Sequence, residues 1–189
     1  IQIEYIDAAD PEGFIEDNHL RSSAFIFGCG HVGKALEPVL RYVGFITTVL
    51  DDRPDYASRE RFPEAENVIV LPDFHRAYED LVLDENSYVI IVTRGHSADY
   101  VVLKQTLKRP AAYIGMIGSK AKVKEIFQRM EADGFGGQDL KRVYTPIGLD
   151  ISAETPEELA ISIAAEMIRV RSGKEGREHS LSWQRLEEC

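Results

Sequence analysis

The chain has 189 residues, 44% of them hydrophobic, and a formal net charge of −10. This length suits one α/β domain with short appendages and is sufficient to bury a sizeable core. The excess of acidic residues argues against a nucleic acid or an anionic membrane as a partner, because both bind basic protein surfaces.

Apolar runs that alternate with helical patterns predict the order of strands and helices. The strand-like runs are AFIF (24–27), FITTVL (45–50), VIVL (68–71), YVIIVT (88–93) and AAYIGMIG (111–118). Helical patterns cover 31–43, 74–83, 97–107, 119–133 and 156–171. Nearly all-apolar strands that alternate with helices are typical of parallel βαβ units. The sequence therefore predicts an α/β fold with a doubly wound, mostly parallel, Rossmann-like sheet.

This sheet is predicted to occupy 23–172, between a short N-terminal arm or linker (1–22) and a polar C-terminal tail (173–189). The arm contains IQIEYI, a candidate edge strand. The connection from 51 to 67 is long for such a fold and carries three arginines, Arg53, Arg59 and Arg61. We interpret it as a functional surface loop.

The glycines of AFIFGCGHVG have the spacing of a dinucleotide-binding loop. The first allows a tight turn, the second allows a pyrophosphate to approach the backbone, and the third allows the helix to pack on the strand. Asp51 follows the first glycine by 23 residues, at the end of the second strand, where an acid accepts hydrogen bonds from ribose hydroxyls. We therefore predict that nucleotide-type ligands bind at Gly28, Cys29, Gly30, His31, Val32, Gly33, Asp51, Asp52 and Arg53.

Several alternatives remain open at this loop. The glycine loop could simply form a tight turn in a Rossmann fold and bind no ligand. Asp51 would repel a 2′-phosphate whereas Arg53 could pair with one, so the sequence does not choose between NAD and NADP. Cys29 at a helix N-terminus could have a lowered pKa and act as a nucleophile or sulfur carrier, or it could be a small residue beside the turn. His31 could donate to a ligand or be an ordinary first-turn residue.

Two later strand ends are polar and should meet the glycine loop at the same edge of the sheet. We assign to the ligand site Thr93, Arg94, Gly95 and His96 after the fourth predicted strand, and Gly118, Ser119 and Lys120 after the fifth. A Gly-Ser turn at a helix start offers N–H groups to an anion. The next lysines, Lys122 and Lys124, are expected on a solvated helix face. At the last helix, Thr155-Pro156-Glu157-Glu158 predicts a capping box.

The sequence lacks several signatures of self-contained enzymes. It has no G-x-S-x-G elbow and no His/Cys spacing for a metal, and little chain remains after the sheet for a substrate domain. Two cysteines do not make a disulfide framework, and no secretory signal precedes the sheet, so we expect a cytoplasmic protein. A cofactor-binding protein is favoured over an enzyme.

A set of longer motifs carries a family resemblance. The segments are FGCGHVG, VLDDRP, RERFPEA, VTRGHSAD, YIGMIGSKAK and PIGLDISAETPEELAISIAAEMI. Together they resemble the C-terminal Rossmann domain of the xanthine dehydrogenase accessory factor family (XdhC/CoxI type), from Ala24 to Arg171. Segments such as GMIGSK and PIGLDISAETPEE are far more specific than a glycine fingerprint.

The resemblance implies an accessory factor that binds molybdenum cofactor, as molybdopterin or in its dinucleotide form. Such a factor assists sulfuration of the cofactor with a cysteine desulfurase and delivers it to a molybdenum hydroxylase such as xanthine dehydrogenase. His31, Arg94, His96 and Lys120 would then contact the pterin or the oxo groups of the metal. We also expect a homo-oligomer. The alternatives are an NAD(P)-dependent oxidoreductase and a nucleotide-sensing regulatory module.

Overall fold

A computed structural model of the chain describes residues 22–173. The predicted edge strand in the N-terminal arm and the predicted polar tail lie outside these residues, so the proposed domain limits stay predictions. Within the described part of the chain, no helix has the length and apolar character needed to cross a membrane.

Six parallel strands form one sheet with the order β3-β2-β1-β4-β5-β6. Their bounds are β1 Ser23–Phe27, β2 Ile46–Asp51, β3 Asn67–Val70, β4 Ser87–Ile91, β5 Tyr113–Met116 and β6 Val143–Tyr144. This is the strand order of a dinucleotide-binding Rossmann sheet, in which the direction of growth reverses between β1 and β4. The predicted fold class is confirmed, and a ligand crevice is expected above the carboxyl ends of those two strands.

Helices cover both faces of the sheet. They are α1 (His31–Tyr42), α2 (His96–Thr106), α3 (Lys120–Ala132), α4 (Gly137–Leu140) and α5 (Pro156–Arg171). Successive β1 side chains enter opposite cores: Ile26 joins a cluster with α1 and α5, whereas Phe27 joins one with α2 and α3. This alternation follows from the two-residue period of a strand, and it explains why the strands read as continuous apolar runs.

The prediction of a helix over 74–83 is wrong. Only Phe74–Arg76 form a helical turn, of the 3₁₀ type, capped by the Asp73 carboxylate. The next backbone bonds join residues three apart, including the bond from the Glu79 N–H to the Arg76 carbonyl at 3.3 Å. The pattern of apolar residues has a helical period, but a segment this short is marginal as an α-helix without strong packing along its length.

Strand β5 (Tyr113–Met116) is shorter than the predicted strand AAYIGMIG (111–118). The sequence did not predict β6 or α4. β6 has only two residues, which gives too short an apolar run for periodicity to detect. At the chain's last helix the capping box is confirmed: Thr155 Oγ1 accepts from the Glu158 N–H at 3.2 Å, and Glu158 accepts from the Thr155 N–H at 3.1 Å.

Helix α5 also fixes the loop that follows β6. The buried Glu166 carboxylate accepts hydrogen bonds from the Tyr113 hydroxyl at 2.6 Å and from the Gly148 N–H at 2.9 Å. Gly148 lies in the PIGLD segment with φ = +102°, a conformation that favours glycine. The specific sequence of this segment is thus explained by its anchoring to the helix.

Candidate functional site

The glycine loop joins β1 to α1 at the point where the sheet reverses. A Cβ at Gly28 would overlap the carbonyl oxygen of Val92, and one at Gly33 would overlap that of Gly28. Gly30 differs, because no heavy atom of the described chain, apart from its neighbours, lies within 4 Å of the Cβ position. Among the described residues no side chain caps α1 at Gly30. The first turn of α1 therefore opens onto the crevice, where its N–H groups favour an anion.

Asp51, at the end of β2, holds this loop through a hydrogen bond to its backbone. The residue is 1% exposed, and its carboxylate accepts the Cys29 N–H at 2.8 Å. It also accepts three bonds from Arg53: from the backbone N–H at 3.1 Å, from Nε at 2.7 Å and from Nη2 at 2.8 Å. Burial acts to raise the pKa of Asp51, but these hydrogen bonds outweigh it and hold the pKa below its ordinary value.

The arginine-bearing loop after β2 folds back over the same turn. The guanidinium groups of Arg53 and Arg61 lie over the Tyr56 ring, at 3.5 and 5.0 Å from its centroid. Arg61 Nη2 donates to the Cys29 carbonyl at 3.1 Å. Both backbone polar groups of Cys29 are therefore held, one by Asp51 and one by Arg61. Arg59 instead donates to carbonyls of its own loop, at Ala65 and Glu66.

The environment of Cys29 supports the alternative of a small residue packed beside the turn over that of a thiol with a lowered pKa. Its side chain is fully buried, and burial, followed by the adjacent Asp51 charge, raises the pKa of the thiol to about 12. Arg61 and Arg53 oppose this shift without overcoming it. The nearby helix N-terminus is too weak to stabilise a thiolate that has lost its solvent. In this arrangement Cys29 is a packed thiol.

The turn from β4 to α2 has a second buried carboxylate. Asp99 is fully buried and accepts the Thr93 N–H at 3.2 Å, the Thr93 hydroxyl at 2.5 Å and the Lys122 ammonium. Burial raises its pKa, and the bonds from Lys122 and Thr93 only partly oppose this rise. The expectation that Lys122 is a solvated lysine is wrong, since a buried acid nearby draws it inward; Lys124 is exposed, as expected.

The remaining predicted residues follow the carboxyl ends of β4 and β5. Arg94, Gly95 and His96 are exposed, and Gly95 adopts φ = +101°. His96 Nδ1 lies 3.6 Å from a Glu125 carboxylate oxygen. At the end of β5, Ser119 caps α3 by accepting the Lys122 N–H at 3.3 Å. Ser119 therefore caps a helix, a structural role that was not part of the predicted anion site.

A cleft of about 220 Å³ lies at the ends of β2, β3 and β4, and Asp51, which accepts the Cys29 N–H, is part of its lining. Its lining contains Asp51, Asp52, Arg53, Phe74, His75, Arg94, Ser97, Ala98 and Val101. Four of these residues were predicted, and the structure brings them together. Phe74 and His75 were missed because their segment was assigned to a helix. Their place just after β3 was the available signal, since ligands bind at strand carboxyl ends.

A protein-family comparison decides where this chain belongs. Residues 24–167 match the model of the XdhC Rossmann domain. The chain belongs to this family. The resemblance noted from the sequence motifs is therefore confirmed.

Relatives of known sequence and structure agree with the assignment. The uncharacterized protein YqeB of Escherichia coli is 29% identical over 163 residues, which are 86% of this chain and 30% of YqeB. A probable xanthine dehydrogenase subunit of Bacillus subtilis is 28% identical, over 84% of this chain and 46% of that protein. The crystal structure of a xanthine dehydrogenase from Bacillus halodurans has a TM-score of 0.72 and 30% identity, over 86% of this chain and 46% of that chain. The chain thus spans less than half the length of these relatives.

Proposed function

We propose that this domain binds molybdenum cofactor and acts as an accessory factor for a xanthine dehydrogenase-type molybdenum hydroxylase. The observation that supports this most is the open glycine cradle at Gly30, on a member of the XdhC Rossmann domain family. The names of the Bacillus relatives support xanthine dehydrogenase as the client. Assistance to cofactor sulfuration is part of the same proposal.

The residues at the crevice fit the phosphate end of such a cofactor. Molybdopterin carries a phosphate and its dinucleotide form carries a pyrophosphate. The uncapped first turn of α1 at Gly30 and His31 supplies N–H donors, and the cleft beside it supplies Arg53 and Arg94. When bound, the cofactor would supply the molybdenum centre of the client's hydroxylation chemistry. The domain's residues bind and orient the phosphate.

The sulfur chemistry does not fit Cys29 in the same way. A thiol with a pKa of about 12 is protonated at neutral pH and is a poor sulfur carrier or metal ligand. We therefore assign sulfur supply to a separate cysteine desulfurase, and this domain assists sulfuration by holding the cofactor. A Cys29→Ala variant is then expected to retain cofactor as the wild type does.

Cofactor retention tests the proposal directly. The purified chain is incubated with molybdenum cofactor released from a molybdenum enzyme and passed over gel filtration, and co-eluting molybdenum and pterin are measured. Gly30→Ala places a methyl group in the open cradle and is expected to lower retention by about tenfold. Gly137→Ala is the matched control, because that glycine also faces open space and lies at the start of α4. Equal retention by both variants, or none by the wild type, would count against the proposal.

An NAD(P)-dependent oxidoreductase is the second candidate, favoured by the Rossmann strand order and the glycine spacing. A nucleotide-sensing regulatory module would use the same cradle. Titration with NADH and NADPH distinguishes these two candidates from a protein that binds molybdenum cofactor. Binding with turnover of an aldehyde or purine indicates the oxidoreductase. Nucleotide binding that changes the oligomeric state indicates the sensor.

A further inference from the structure

The acid after β2 has no capacity left for a ribose. In a Rossmann site that acid accepts hydrogen bonds from ribose hydroxyls. An ionised carboxylate offers about four lone-pair sites. Asp51 already accepts four hydrogen bonds, one from the Cys29 N–H and three from Arg53. A ribose diol could reach Asp51 only by breaking this pairing.

The same pairing fixes the guanidinium of Arg53. Its Nε–Nη2 edge meets the Asp51 carboxylate, and one face lies 3.5 Å from the Tyr56 ring centroid. A guanidinium has five N–H donors, so those that Asp51 does not take lie along the edge facing away from the carboxylate. Arg53 lines the cleft and its side chain keeps 22% exposure. It therefore presents a fixed donor fork, whose geometry matches phosphate.

Other charged groups line the same cleft with opposite effects. Arg94 and His75 bring a guanidinium and an imidazole from the segments that follow β4 and β3. Asp52 opposes an anion: its carboxylate lies 3.9 Å from Arg53 Nε and is 32% exposed. The sign of the Asp52 effect on ligand binding therefore reveals which ligand group enters the cleft.

We propose that this cleft binds a phosphate monoester of the ligand. Arg53 is the donor fork, Asp51 and Tyr56 are positioning residues, and Arg94 is the second cation. The inference rests on the proposed function, in which the same ligand also contacts the N–H groups of the glycine loop. Two sources share this chemistry: the terminal phosphate of molybdopterin and the 2′-phosphate of NADP. NAD and the dinucleotide form of the pterin carry a pyrophosphate and no monoester.

Paired probes distinguish the sources. The chain is titrated with NADPH against NADH, and with molybdenum cofactor in the molybdopterin form against the dinucleotide form. In at least one pair the monoester member is expected to bind about tenfold more tightly, the value of one charge-assisted hydrogen bond. The pair that shows the preference names the source. Absence of a preference in both pairs overturns the proposal.

Two variants test the cleft, and a third is their control. Arg94→Gln is exposed and is expected to weaken monoester binding by about tenfold and to abolish the preference. Asp52→Asn removes the opposing charge and is expected to tighten monoester binding by about threefold. Lys124→Gln, an equal charge change on an exposed helix face away from the cleft lining, is the control and should change nothing.

The opposite result has a clear meaning. If Asp52→Asn weakens binding and NADH binds as well as NADPH, then Asp52 accepts ribose hydroxyls and the cleft does not bind a phosphate. This outcome is distinguishable from failure of the proposed function. A preference for NADPH without retention of molybdenum cofactor supports the phosphate site in the cleft and rejects the proposed binding of molybdenum cofactor. Retention of molybdenum cofactor with no preference in either pair does the reverse.

Discussion

Two turns at neighbouring strands of this sheet are built on the same plan. The turn after β1 and the turn after β4 each enter a helix through a glycine, Gly30 or Gly95, with no side-chain cap in the described structure. Beneath each turn a buried aspartate accepts a backbone N–H of the turn and pairs with a basic side chain. Yet the pKa values of the two carboxyl groups, Asp51 and Asp99, shift in opposite directions.

The difference follows from the number and kind of donors that each carboxylate receives, set against its burial. Asp51 receives four hydrogen bonds, two of them from the planar fork of Arg53. Asp99 receives three, of which one comes from the compact ammonium of Lys122. A charge-assisted bidentate pair is stronger and better oriented than a single ammonium contact. The first turn is therefore held by a stable ion pair, whereas burial dominates at the second.

The largest expected effect is on the free energy of unfolding, and it distinguishes a packed glycine of the loop from an open one. Gly33→Ala places a methyl group against the Gly28 carbonyl and is expected to cost about 3 kcal/mol in the free energy of unfolding. Gly30→Ala, which meets open space at φ = −70°, should cost less than about 1 kcal/mol. Urea denaturation of the two variants measures the contrast. Equal midpoints would mean that the loop relaxes around the third glycine.

The two aspartates should respond oppositely to pH. Asp51 has a lowered pKa in the folded state, so its stabilisation is complete above the unfolded value of about 4 and is lost as pH falls through the folded pKa. The pKa of Asp99 is raised, so its ionisation costs stability as pH rises from about 4 through the folded pKa. At neutral pH, Asp51→Asn is expected to destabilise the fold by about 2 kcal/mol, since it weakens charged hydrogen bonds.

Unfolding free energies of wild type, Asp51→Asn and Asp99→Asn, measured between acidic and neutral pH, check this pair of signs. The deficit of Asp51→Asn should shrink toward acidic pH. The deficit of Asp99→Asn should instead be larger at acidic pH than at neutral pH. Parallel pH profiles for the two variants would contradict the different balance of burial and hydrogen bonding at the two turns.

The smallest expected effect concerns backbone strain at the second turn. Gly95 has φ = +101° with open space at its Cβ position, so Gly95→Ala should cost about 1 kcal/mol from conformation alone. Gly30→Ala is the natural comparison, since it has equal space and an ordinary φ. Thermal unfolding of both variants resolves the difference. A second turn that tolerates alanine fully would indicate that its backbone can change conformation.

Sequence reasoning predicted most of the fold and part of the cleft. Strands β1 to β5, α1 and the capped helix α5 followed from apolar runs, glycine spacing and the Thr155 capping box, because these signals are local. The prediction for 74–83 was wrong because the apolar residues have α-helical spacing, whereas the backbone hydrogen bonds join residues three apart and form no α-helix. As a result His75 was missing from the predicted site. Asp52, Arg53 and Arg94 were predicted individually, from their positions at strand ends.

The sequence by itself determined the Rossmann architecture, the family and the turn and packing roles of Gly28 and Gly33. Only the tertiary structure decided the chemistry of the charged and sulfur-bearing residues. The pKa of Cys29 is high because burial and the adjacent Asp51 charge outweigh the nearby arginines, and the Asp51 carboxylate already accepts hydrogen bonds from Cys29 and Arg53. Burial and the choice of hydrogen-bond partner depend on how separate segments meet in space, and the order of residues along the chain does not specify them.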